Sequence, residues 1–237
     1  MIDIGEVKLK TLANLPVRYG SILIKPKTLL EIIDFGFNNY LHAIATVTST
    51  IKQWIPDYED KEGKTTLQCL YDLGIPELIE SYLDSLSYLL DTNVGISNNQ
   101  VYFNNKQSVT FDQFSEIVEI IKTQNLALEK SSRQEYNPKT KKAKEMAEQM
   151  KKLKEKVNSL KKGNGENNLS FFDLIEIAAL HSNISLVEIF ELNYFQFNIH
   201  FNRLKLMKDY EMNINAFFSD KLEFKHVKSW LTKIENS

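Results

Sequence analysis

The stretch KEKVNSLKKGNGENNLSFFDL, residues 154–174, holds a seam. A lysine-rich run with helical spacing stops at Lys162. A polar Gly-Asn-Gly-Glu-Asn-Asn string follows, and an amphipathic apolar segment starts afresh at Leu169. Glycine and asparagine in such density break helices, so the chain divides here. Three parts are expected: a mainly helical domain over 1–138, a lysine-rich helix and polar linker over 139–168, and a helical domain over 169–237.

Upstream of the seam, KTKKAKEMAEQMKKLKEKVNSLKK places Ala143, Met146, Ala147, Met150, Leu153, Val157 and Leu160 along one narrow stripe. The other positions are mostly lysine. Residues 139–162 hold ten lysines and three glutamates, a balance of +7 in a chain whose net charge is −2. The remainder therefore carries −9. A helix with so thin an apolar stripe is either a solvated arm or half of a partner-dependent pair.

Farther upstream, helices are expected over TLLEIIDFGFNNYL, LHAIATVTSTIKQWI, TTLQCLYDLG, PELIESYLDSLSYLLD and FDQFSEIVEIIKTQNLAL. Thr28 with Glu31 and Thr110 with Gln113 have the spacing of a capping box, and Pro76 suits a first helical turn. Leu29, Ile32, Ile33 and Phe37 are expected on one buried face. So are Phe111, Phe114, Ile117, Val118 and Ile121. Ser21 to Lys25 reads as a short strand. VYFNNKQSVTF reads as a hairpin near 101–110 turning at Asn104-Asn105 and resting on the following helix.

Downstream, Ser170 with Asp173 and Ser185 with Glu188 mark two more helix starts. The last segment shows an aromatic face including Tyr194, Phe195, Phe197, Phe201, Phe217 and Phe218. The fold class is mainly α: a helical amino-terminal domain with a small β-hairpin, a lysine-rich connecting helix, and a small all-α carboxy-terminal domain.

Chemistry is sparse. Cys69 stands alone, inside a helical pattern that favours burial over nucleophilic use. His42, His181, His200 and His226 lack metal-ligand spacing, and no glycine-rich phosphate loop follows a strand. No carboxylates pair inside an apolar context. An enzyme is not expected, nor a cofactor or metal. The lysine run has neither arginine nor stacking aromatics, so nucleic acid is not the expected partner. The first residues lack the pattern of a secretory signal, and no long apolar run implies a membrane span. A soluble protein of the cytoplasm is the expectation.

Four segments together resemble the tail assembly chaperones of long-tailed phages and prophages of Gram-positive bacteria. These are ILIKPKTLLEIIDFGFNNYL, NNKQSVTFDQFSEIVEIIKTQN, EYNPKTKKAKEMAEQMKKLKEK and FDLIEIAALHSNISLVEIFELNYFQFNIHFNRLKLMKDYEMNINAFF. The resemblance implies a non-enzymatic helper in the host cytoplasm that binds the tape measure protein and recruits tail tube protein. It implies a tape-measure-binding part up to about Lys162 and a tube-recruiting extension from about Leu169, joined in many relatives by ribosomal frameshifting. Met146, Met150, Leu153 and Val157 are then the candidate partner-binding residues, since methionine adapts to irregular apolar surfaces. Docking of the same stripe on its own chain is an equal alternative, and self-association stays open.

Overall fold

The computed structural model describes residues 2–55, 58, 63–104, 107–127 and 169–218. The fold is mainly helical, with small antiparallel β elements and a carboxy-terminal helical region. The helix expected over 139–162 lies outside the described residues.

The chain opens with α1 (Ile4–Leu12), an element the sequence pattern does not announce. Asp3 caps it, its carboxylate accepting from the Gly5 and Glu6 amides. Only Val7 and Thr11, one turn apart, are buried. A two-stranded ribbon follows, β1 (Val17–Tyr19) paired with β2 (Ile22–Ile24). Its turn needs the positive φ of Gly20, 61°. The expected strand from Ser21 is thus half of a hairpin.

Helix α2 (Leu29–Phe35) starts at the Thr28–Glu31 capping box, both hydrogen bonds being present. It ends at Gly36, whose φ of 96° only glycine adopts without strain. The chain then turns into α3 (Phe37–Thr48). This break corrects the expected common face: Leu29 and Ile32 are buried, but Ile33 is 43% exposed. A second break, at Ser49-Thr50, divides the next expected helix into α3 and the short α4 (Ile51–Trp54). Ser49 holds it open, its hydroxyl taking the Trp54 indole N–H at 2.5 Å and its carbonyl the Thr66 hydroxyl.

Helices α5 (Thr66–Leu73) and α6 (Pro76–Leu90) complete the first layer, Cys69 being fully buried in α5. Tyr82 of α6 is also buried and donates to the Val47 carbonyl at 2.9 Å, tying α6 to α3. The expected hairpin is the inner part of a three-stranded antiparallel sheet, β3 (Val94–Ser97), β4 (Gln100–Phe103) and β5 (Gln107–Thr110). The added strand enters through Asn98 and Asn99, both at positive φ, in the tight turn that hairpins favour. Val101, Phe103 and Val109 are buried between this sheet and α7 (Phe111–Gln124). The five-residue stripe predicted for α7 is buried throughout.

The carboxy-terminal helices are α8 (Phe171–Ser182), α9 (Leu186–Glu191) and α10 (Tyr194–Phe218). Both predicted capping boxes are formed, at Ser170 and Ser185. These helices pack on one another and also on α1, α2 and α3, so one apolar core runs through Leu29, Tyr40, Ile175, Ile189 and Phe197. The aromatic run is divided in use. Phe195 and Phe197 are buried, Tyr194 meets Tyr40 edge-on, and Phe218 is exposed; the Phe217 side chain lies outside the described set.

Candidate partner-binding surface

The contact between the early and late parts of the chain is built on backbone pairing. Thr28 and Asn193 form an antiparallel bridge, flanked by Leu29 N donating to Leu192 O at 2.8 Å and Tyr194 N to Lys27 O at 3.3 Å. Thr28 is already the cap of α2, so the helix start and the bridge share one residue. Asn193 is fully buried and does two jobs. Its side-chain oxygen Oδ1 accepts from the Gln196 amide, capping α10, while its side-chain N–H groups donate to Thr11 O at 2.8 Å and Asn14 Oδ1 at 3.2 Å. Phe171 completes the seam by stacking on Phe37.

What that docking leaves outside is a surface of α2, α8 and α9, with α9 lying against both neighbours. Seven large apolar residues on them are exposed: Leu30, Ile33, Phe35, Phe172, Leu180, Leu186 and Val187. Phe172 is 65% exposed, Leu180 79% and Val187 70%. The cause is visible in the sequence of α8, where apolar residues surround the helix. Ile175 and Ala178 face the core, so residues at the opposite phase are forced outward.

The electrostatics of the three helices are one-sided. They carry Glu31, Asp34, Asp173, Glu176, Glu188 and Glu191, and no lysine or arginine. Lys25, before α2, lies 3.9 Å from Glu31 and offsets one charge. Burial raises the affinity of Glu31 for a proton, but bonds from the Thr28 amide and hydroxyl, with Lys25 and Lys27 nearby, hold it below its ordinary value. Bonds from Ser170 lower Asp173, and bonds from Ser185 lower Glu188. These carboxylates stay charged well into acid.

Other places offer less. A cleft of about 310 Å³ between α3, α5 and α7 contains Lys64 and Lys122, but Lys64 is paired with Asp72 and Lys122 with Glu119. His181 and His200 do not meet. His200 Nε2 lies 2.6 Å from Ser182 Oγ, whose hydroxyl is donated to the Ala178 carbonyl. The pair is a tie between α10 and α8, and the hydroxyl is not delivered to the imidazole as a nucleophile's would be. Among the described residues no cluster of His, Cys, Asp or Glu could hold a metal ion, and no helix is long and apolar enough to cross a membrane.

The predicted partner-binding residues Met146, Met150, Leu153 and Val157 lie outside the described residues. The exposed residues of α2, α8 and α9 were not foreseen as a surface, although the all-round apolar pattern of α8 was the available signal.

A family model described as YomV second domain matches residues 161–235. The family name is phage-associated, and the matched span includes α8, α9 and α10. No curated protein and no solved structure matches the chain.

Proposed function

We propose that this chain is a non-enzymatic tail assembly chaperone of a long-tailed phage or prophage, binding the tape measure protein and helping to recruit tail tube subunits. The observation that carries the reading is the match of residues 161–235 to a family with a phage-associated name. It coincides with the carboxy-terminal part of the resemblance, and it falls on helices rich in exposed apolar side chains.

The physics suits the task. A tape measure protein is long and helical, with apolar stripes that need cover until the tube encloses them. A helper must cover those stripes and then let go, so several modest contacts serve better than one tight interface. The stripe of Met146, Met150, Leu153 and Val157 supplies one such contact, and the exposed side chains of α8 and α9 supply another.

Co-expression with a tape measure fragment tests the role. The full chain captures the fragment, and serine at Met146, Met150, Leu153 and Val157 lowers the yield; unchanged capture dismisses the stripe. The second reading, a structural tail, neck or baseplate component, predicts that the chain stays in finished particles. Mass spectrometry of purified virions decides, since a chaperone is absent from them. A nucleic-acid-binding regulator is the weakest reading and requires salt-sensitive retention on DNA or RNA.

A further inference from the structure

We infer that the acidic, apolar surface of α2, α8 and α9 is the docking site of the chain's own lysine-rich segment, residues 139–162. This goes beyond the chaperone reading: with no tape measure protein bound, the two apolar surfaces that reading assigns to it cover each other.

Charge complementarity is the first argument. The surface offers six carboxylates against two neighbouring lysines, Lys25 and the buried Lys27, which is paired with Asp91, and the segment offers ten lysines against three glutamates. On α8, Phe172, Glu176 and Leu180 recur every fourth residue, so a carboxylate lies between two apolar side chains on one exposed face. In the segment, Met146, Met150, Leu153 and Val157 recur every three or four residues, and Lys151, Lys152, Lys154 and Lys156 lie among the last three of them. The apolar stripe of the segment is thus edged mainly by lysine, and that of α8 by acid.

Position is the second argument. The segment ends at Lys162, and Leu169, at the start of α8, follows after only residues 163–168. A short tether makes docking an intramolecular event with an effective concentration in the millimolar range, enough to sustain a contact too weak to form between free molecules. Exposed ion pairs contribute little each, so the apolar side chains must supply the attraction and the charges the register.

Zero-length carbodiimide cross-linking of the full chain tests this, because the reagent joins a lysine amine only to a carboxylate in direct contact. Lysines of 139–162 are expected to link to Asp34, Glu176, Glu188 or Glu191 within one chain. The yield should fall several-fold at about 0.5 M salt, where charges are screened beyond a few ångströms. The double substitution Phe172→Ser and Leu180→Ser removes exposed groups and leaves every carboxylate in place; it should lower the same links several-fold with unchanged helicity. Leu9→Ser, on α1, should not. Links scattered over carboxylates across the whole protein, or links indifferent to the double substitution, overturn the inference. Links joining isotopically labelled to unlabelled chains place a second copy on the surface and overturn the same-chain assignment.

Discussion

The ring of Phe171 lies flat on that of Phe37, with centroids 3.9 Å apart and planes 3° from parallel. Phe37 begins α3 and Phe171 begins α8, so two helix starts far apart in sequence meet through one aromatic pair. Phe197 adds an edge-on contact to Phe171 at 5.6 Å. The seam therefore has an apolar end at these rings and a polar end at Asn193.

The polar end gives the first prediction. Asn193→Leu removes the donor to the Thr11 carbonyl and the cap of α10 at once, leaving buried polar groups unsatisfied. The expected loss is about 2–3 kcal/mol in chemical unfolding. Asn193→Asp should be no better, because it replaces the donating N–H groups with acceptors.

At the apolar end, a double-mutant cycle of Phe37→Leu and Phe171→Leu should show a coupling of about 1 kcal/mol, the usual worth of a stacked pair beyond its burial. A coupling near zero would mean that the stack adds nothing beyond the burial of each ring.

Lys27 supplies the third. Its side chain is only 6% exposed, pairs with Asp91, and places its ammonium 5.0 Å from the centre of the Tyr88 ring. Asp91→Asn keeps the left-handed backbone at the end of α6, since asparagine adopts it readily, but removes the charge facing Lys27. Because Asp91 itself is largely exposed, its contribution is discounted for solvent screening, and a loss of about 1 kcal/mol is expected in thermal or denaturant unfolding.

Strong acid should loosen the carboxy-terminal helices. Asp173 and Glu188 have folded values below their ordinary 3.8 and 4.5. Their contribution is therefore complete above the ordinary values and is lost as pH falls through the lowered ones. Helicity followed by circular dichroism between about pH 5 and pH 2 should decline in wild type. Ser170→Ala and Ser185→Ala should start less stable and decline less steeply.

Alkali tests the other layer. Burial pushes the Tyr88 hydroxyl up to about 12, and burial raises Tyr82 farther still. A raised value stabilises the fold below the ordinary 10.0 and is lost as pH climbs through the folded value. Absorbance titration should show exposed tyrosines ionising first, Tyr88 near 12, and the buried Tyr40 and Tyr82 only with unfolding; Tyr82→Phe should lose the bond to Val47 and its share of that last step.

The helix starts were legible because their signals are local. A Thr or Ser with Glu, Gln or Asp three residues on specifies its own hydrogen bonds, and all four predicted boxes are formed. The inner hairpin was legible for the same reason. Strand β3 was not: it is four residues long, contains Gly95, and draws its order from pairing with β4 and packing on α6. Helix α1 shows only two inward residues, one of them a threonine that bonds back to the Val7 carbonyl, so no apolar period marks it. The exposure of Ile33 follows from the turn at Gly36, which redirects α3 and leaves α2 with a narrower contact. The bridge at Thr28 and Asn193 and the stack at Phe37 are tertiary facts, written in no window of neighbouring residues.

The bridge at Thr28 also has a timing consequence. Leu29 must wait for Leu192 to be synthesised before its amide finds that carbonyl, which at roughly 5–20 residues per second takes on the order of ten to thirty seconds. Through that interval Phe37, Tyr40 and the Thr11 carbonyl emerge from the ribosome without their late partners, and a polypeptide halted anywhere before Leu169 would never acquire them. How long translation runs thus decides whether this flank of the molecule is sealed or sticky.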